Sequence, residues 1–268
     1  MPKLCANISM LFNELPFLQR YQAAADNGFV GVECLFPYEF SADEVAGAIQ
    51  KSGIPHVLIN TSAGDWNAGD RGMACDANRQ DEFQHSVKQA LNYAMTMDKP
   101  LVHVMAGLIP NGVSLEAAET AYIDNLRWAA AEASKLGIRL TMEAINPVDM
   151  PHYMLSNQAQ ALRLLKAINA DNVGLQFDFF HCQKHEGNAL AQFKQLLPHI
   201  FHVQIAGVPE RHEPNTGVLD YGPVFAVIDA SVYSGYVGCE YRPKTTTVEG
   251  LSWMNKLSSA HIRSGKVR

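Results

Sequence analysis

A chain of 268 residues, 47% apolar and 18% charged, has the balance of an ordinary globular protein. Its net charge of −6 gives no general reason to bind nucleic acid, and no run of about 18 apolar residues offers a membrane span. The five cysteines (Cys5, Cys34, Cys75, Cys182, Cys239) are odd in number and dispersed, which favours reduced, buried thiols in a cytoplasmic protein over a disulfide framework.

Met1-Pro2-Lys3-Leu4-Cys5 leads into a strand-like run with no signal-peptide pattern, so a first strand is expected over 3–9 and a helix over 14–27. A strand over 28–34 precedes a helix over 41–52, whose start carries Ser41 with Glu44 three residues on. The third strand, 54–60, opens the longest irregular stretch, 61–78, before a helix over 79–97. A loop of that length is more often functional than accidental, and it would sit over the carboxyl ends of the strands. Strand 100–106 is followed by helix 115–136, with Ser114 as its cap, and strand 138–143 by helix 156–169. The pattern repeats with strand 173–178 and helix 187–197, strand 200–205 and helix 221–231, then strand 236–240 and helix 246–257. Gly28, Gly53 and Gly137 stand where helices should stop.

Eight β-then-α units predict an α/β fold closed as a (β/α)8 TIM barrel. Residues 1–258 would form its single catalytic domain, and the basic, polar residues 259–268 a tail that frays or meets another subunit. An open doubly wound sheet is the alternative. It lacks support from any Gly-x-Gly-x-x-Gly turn after the first strand.

The residues at or near the eight strand ends are Asn7, Glu33, Asn60, His103, Glu143, Asp178, Gln204 and Glu240, all polar within mostly apolar runs. In a parallel barrel these ends share one mouth, where ligands bind. For Asn7, Glu33 and Asn60 taken singly, a hydrogen-bonded core position explains the residue as well as substrate contact does. Three carboxylates in one mouth repel unless a cation sits between them, so Glu143, Asp178, Gln204 and Glu240 are expected to hold one divalent metal. Oxygen-only donors favour Mg²⁺ or Mn²⁺ over structural zinc. Glu143 and Glu240 are then the candidate acid/base pair.

His202 shares the inward face one layer deeper than Gln204 and is expected to be a hydrogen-bonded core histidine. His181 is placed in a loop beyond the sixth strand, within reach of a substrate oxygen. His103 could orient Glu143 or contact substrate. Arg211, His212, Arg242 and Lys244 follow the last two strands, and Arg71 lies on the long loop. Cations gathered there suit a substrate carboxylate, with Arg211 and Lys244 as the expected contacts.

These residues resemble the hydroxypyruvate isomerase family, within the xylose isomerase-like barrel superfamily, over nearly the whole chain. The likeness runs through Ala6-Asn7-Ile8-Ser9-Met10-Leu11-Phe12, Phe36-Pro37-Tyr38, Gly64-Asp65-Trp66-Asn67-Ala68-Gly69 and Gly238-Cys239-Glu240-Tyr241-Arg242-Pro243-Lys244. Within the family it is nearest to the 2-oxo-tetronate isomerases, through Val102-His103-Val104-Met105-Ala106-Gly107, Pro151-His152-Tyr153 and Val203-Gln204-Ile205-Ala206-Gly207 leading to Arg211-His212-Glu213-Pro214. The resemblance implies one metal on Glu143, Asp178, Gln204 and Glu240, and a carbonyl shift between C2 and C3 of a small sugar acid. The partner would be that acid, with a homo-oligomer possible and neither nucleic acid nor membrane involved. Hydroxypyruvate isomerisation and ketose 3-epimerisation are the alternatives. An abasic-site endonuclease of the superfamily would need a trinuclear zinc site rich in histidine and a basic face, and a non-catalytic sugar-acid binding protein would not need two glutamates at the metal.

Overall fold

Eight parallel strands close on themselves in chain order, β8 pairing with β1. They are β1 (Lys3–Asn7), β2 (Val32–Glu33), β3 (His56–Asn60), β4 (Leu101–His103), β5 (Leu140–Glu143), β6 (Val173–Asp178), β7 (Ile200–Ile205) and β8 (Tyr236–Cys239). The computed structural model describes residues 2–254, so the expected tail at 259–268 and the end of the last expected helix lie outside the described residues. The helices are α1 (Arg20–Asp26), α2 (Ala42–Ser52), α3 (Gln80–Thr96), α4 (Leu115–Lys135), α5 (Gln158–Ile168), α6 (Phe179–His185), α7 (Ala189–Leu196), α8 (Tyr221–Ala230) and α9 (Thr247–Gly250).

Every residue of β3, β4, β5 and β6 is buried. That is the signature of parallel strands covered by helices outside and packed side chains within. The helices turn one apolar stripe to the barrel: α4 buries Ala118, Tyr122, Leu126, Ala129 and Ala133 at three- and four-residue spacing. Ser41 and Glu44 form the expected capping box, Ser114 accepts from the Ala117 N–H, and Gly53 ends α2 in the left-handed conformation at φ 71°.

Three elements differ from the sequence expectation. A 3-10 turn over Phe17–Gln19 follows Pro16, so α1 starts only at Arg20. β2 keeps two residues because its register with β3 shifts between Val32 and Glu33. The segment after β6 is a helix, not a loop: the Asp178 side chain accepts from the Phe180 N–H and caps α6, which carries His181. All five cysteines are buried and free. No helix among the described residues is long and apolar enough to cross a membrane.

His56, at the start of β3, is buried with both ring nitrogens engaged: Nδ1 meets the Tyr21 hydroxyl at 3.0 Å and Nε2 the Leu58 carbonyl at 3.0 Å. Burial lowers its pKa from 6.5 to about 4, against the opposing pull of the Leu58 carbonyl and Glu33. The unfolded chain therefore takes up this proton near pH 6.5 and the folded chain only near pH 4. Stability is full above pH 6.5, falls as pH drops through that window, and levels off below it. The shift is worth about 3 kcal/mol. Urea titrations across this range should show a loss of that size in the wild type that is missing from His56→Asn. Parallel pH profiles for the two proteins would contradict it.

Candidate active site

Glu143 ends β5, Asp178 ends β6, Gln204 lies opposite Asp178 on β7, and Glu240 directly follows β8. Because the strands are parallel, all four arrive at one mouth. A cavity of about 560 Å³ opens there, and Asn60, His103, Glu143, His181, Arg211 and Glu240 are among the residues lining it. That volume falls within the usual range for small-ligand pockets, about 300–1,000 Å³.

Two carboxylate oxygens at the base of the cavity make no hydrogen bond. Glu143 accepts from Gln176 Nε2 on its Oε2 at 3.1 Å, while its Oε1 is buried and makes no hydrogen bond. Asp178 Oδ1 is used in the α6 cap, and its buried Oδ2 makes no hydrogen bond. Buried polar atoms are costly when unsatisfied. Burial pushes Glu143 well above the usual carboxylate range, and the Glu240 and Asp178 charges push the same way. Burial also raises Asp178, and it raises Glu240 to about 8 against the pull of Arg211. The array is thus short of positive charge. Arg211 supplies part of it, with Nη2 3.5 Å from Asp178 Oδ2 and 3.3 Å from Glu240 Oε1.

His181 Nδ1 receives the Asn146 side-chain amide at 2.6 Å and its backbone N–H at 3.4 Å. The Asn146 amide is itself oriented by Asp149, whose N–H meets Oδ1 at 2.9 Å. This network places the imidazole proton on Nε2, which lies 3.6 Å from Asp178 Oδ2 and 4.0 Å from Glu143 Oε1. Burial, with the Arg211 and Lys184 charges, holds His181 well below 6.5. It is a neutral donor aimed at the acids. Ligand atoms of Glu143, Asp178 and His181 lie within 4.8 Å of one another, a group that could hold a metal ion; with Nδ1 taken by Asn146 and Nε2 protonated, the two carboxylates are its free ligands.

Beneath this layer lies a second one, closed by Glu33. Its carboxylate accepts from His202 Nε2 (2.6 Å), Gln204 Nε2 (2.8 Å), Asn7 Nδ2 (3.1 Å) and Cys5 Sγ (3.4 Å). Burial alone would raise Glu33, but the His202 charge and these donors outweigh it and hold the group below its ordinary value. Gly238 makes the space, since a Cβ there would stand 2.4 Å from Glu33 Oε2. With its amide nitrogen tied to Glu33, Gln204 turns its carbonyl oxygen away from Glu33, where it accepts from Gln176 Nε2 at 2.7 Å.

The expected site residues therefore divide. Glu143, Glu240, His103, His181, Asn60 and Arg211 line the cavity, with Asp178 ion-paired to Arg211 beneath it. His103 has neither ring nitrogen hydrogen-bonded, though Nδ1 lies 3.8 Å from Glu143, and burial with the His202 charge lowers it to about 3. Asn7 is held in the lower layer by Glu33. The Lys244 side chain is exposed and does not line the cavity, its backbone N–H donating instead to Glu213. His202 is the core histidine expected of it. Gln176, Asn146 and Lys184 belong to the site and were not singled out from the sequence. Gln176 was findable, because it sits two residues before Asp178 on the same strand face.

A sequence profile of the xylose isomerase-like TIM barrel family matches residues 21–257. A 2-oxo-tetronate isomerase of Cupriavidus necator is 43% identical over 95% of this chain and 98% of its own. The hydroxypyruvate isomerase of Escherichia coli is 41% identical over 95% of this chain and 99% of its own. Among solved structures, a Brucella melitensis protein described as AP endonuclease, family 2 superposes with a TM-score of 0.93 at 42% identity, covering 96% of this chain and 99% of that one. The chain belongs to the xylose isomerase-like TIM barrel family, within its hydroxypyruvate isomerase group.

Proposed function

We propose that this protein is a metal-dependent isomerase, acting in the cytoplasm, that moves a carbonyl between C2 and C3 of a small hydroxy acid, 2-oxo-tetronate to 3-oxo-tetronate. The observation that carries the proposal is two buried glutamates, Glu143 and Glu240, on one cavity with Asp178 beneath it, and two carboxylate oxygens that make no hydrogen bond. The relatives at 41–43% identity, named for sugar-acid and hydroxypyruvate isomerisation, supply the substrate class.

Glu143, Asp178, Gln204 and Glu240 would hold one divalent ion, and an all-oxygen donor set suits Mg²⁺ or Mn²⁺. Glu143 Oε1 and Asp178 Oδ2, neither of them hydrogen-bonded, fit such an ion, and the Gln204 carbonyl oxygen keeps a second lone pair. When bound, the ion supplies positive charge that stabilises the negative oxygen developing at C2 and C3. One glutamate takes the proton from C3, and the C–H electron pair becomes the C2–C3 double bond of an enediolate. The other glutamate returns a proton to C2 as the double bond's electron pair forms the new C2–H bond, while the C3 hydroxyl passes its proton to the C2 oxygen, so that C3 becomes the new carbonyl and C2 carries the hydroxyl. Atoms and charge balance with no added oxidant. His181, with its proton on Nε2, donates to the oxygen on which negative charge develops.

Isomerase assays on 2-oxo-tetronates and hydroxypyruvate, with and without chelator, test this. Expected is faster turnover of the four-carbon acid, abolished by chelator and restored by Mg²⁺ or Mn²⁺, with solvent deuterium entering at the reacting carbon. Preference for hydroxypyruvate would move the protein to the activity named for its E. coli relative. No turnover of either acid would overturn the reading. The description of the Brucella structure raises a nuclease as a second reading. Among the described residues only two histidines, His103 and His181, line the cavity, too few for a histidine-rich trinuclear zinc site, and the chain is acidic overall.

A further inference from the structure

The cations around the mouth differ in how far their charge is already used. Lys184 Nζ lies 2.6 Å from Asp149 Oδ1, and Arg211 Nη2 is shared between Asp178 and Glu240. Arg71 and Arg242 also line the cavity, and neither forms an ion pair among the described residues. Arg242 is exposed, and its described hydrogen bonds run through its backbone.

Arg71 is half-buried and fixed. Its guanidinium carbon stands 3.8 Å from the centroid of the Trp66 ring, and Nη1 donates to the carbonyls of Trp66 (3.1 Å) and Asp70 (2.7 Å). Both chain neighbours are pinned. The Asp70 carboxylate accepts from the Asp65 N–H at 2.8 Å and from both Arg79 terminal nitrogens at 2.9 Å. Gly72 donates to the Ala63 carbonyl at 2.9 Å with φ +113°, and a Cβ on it would stand 2.6 Å from the Met105 carbonyl oxygen. The Nε and Nη2 hydrogens of Arg71, which share one edge of the fork, meet no acceptor among the described residues. An unpaired fork held rigid at the rim of an acid-floored cavity is prepared for a planar anion, and little ordering remains to oppose binding.

We infer that Arg71 receives the substrate carboxylate and sets the preference for sugar acids over neutral sugars. This inference rests on the isomerase reading. With the carboxylate held at the rim by Arg71, the reacting carbons are left to face Glu143 and Glu240.

The test compares wild type, Arg71→Lys and Arg71→Gln on 2-oxo-tetronate and on the neutral four-carbon ketose in which a hydroxymethyl group replaces the carboxylate. Losing a charge-assisted fork should raise KM for the acid about 10- to 100-fold in Arg71→Gln, with kcat within a few-fold. Kinetics on the neutral ketose should not change, and lysine should recover part of the loss. A structural fault would depress both substrates and kcat alike, and that result, or an unchanged KM, would overturn the inference. Should the wild type turn over neither substrate, calorimetry with an unreactive tetronate, bearing a hydroxyl in place of the carbonyl, still decides the point. A 10- to 100-fold weaker Kd in Arg71→Gln supports it, and equal affinities reject it.

Discussion

Glu143→Gln and Glu240→Gln should each lower kcat on the four-carbon acid by about a hundredfold or more, the scale on which acid/base groups contribute. Glutamine keeps the volume of the side chain and an oxygen that can face a cation, so the loss reports the missing proton-transfer group more than a missing shape. Both glutamates are suited to that work. Each is buried, each is raised above the ordinary carboxylate range, and each lines the same cavity. Asp178→Asn should behave differently. Its Oδ1 bond to the Phe180 N–H can survive in the amide oxygen, while Oδ2, which makes no hydrogen bond and lies 3.5 Å from Arg211 Nη2, is replaced by nitrogen, so the main effect should fall on metal affinity. Steady-state kinetics with Mn²⁺ varied separate the two outcomes. Near-wild-type turnover in either glutamine variant removes that residue from the chemistry.

Glu33→Ala should cost about 3 kcal/mol or more of stability, because it strips several buried donors of their shared acceptor. Four donors converge on that carboxylate, and neither it nor His202 has exposed side-chain surface. Alanine would leave His202 and the Gln204 and Asn7 amides facing a void. Urea unfolding measures the loss, and a cost below about 1 kcal/mol would show that the pair does not matter to stability. Replacing Glu33 and His202 together by leucine should cost less than the sum of the single changes, because neither partner is then left alone. Since Glu33 also fixes the Gln204 amide, Glu33→Gln should weaken Mn²⁺ affinity even where the protein stays folded.

The acid layer was legible because Glu143, Asp178 and Glu240 each terminate an apolar run, and period-two alternation aims such residues at the mouth. The barrel was legible from the eightfold alternation of short β-rich and helical runs, and its caps from Ser41, Glu44 and Ser114. Helix α6 was not, because Asp178 serves at once as strand end and helix cap, and Phe179-Phe180-His181-Cys182 carries no separate start signal. The contrast between Arg71 and Lys244 was also hidden. Both read as cations on mouth loops, and only the turn closed by Asp65, Asp70 and Arg79 lays one of them across Trp66 at the cavity. The Glu33 layer was half visible. Its residues stood out as polar, but their mutual satisfaction depends on the space left by Gly238, which no spacing rule reveals.

Anomalous diffraction from crystals grown with Mn²⁺ tests the central claim most directly, since it locates the ion without reference to activity. The predicted result is a single peak per chain in contact with oxygens of Glu143, Asp178, Gln204 and Glu240, absent from crystals of Asp178→Asn. A chain that takes up no ion, or one that holds it elsewhere, such as among Cys5, Glu33 and His202, would contradict the account.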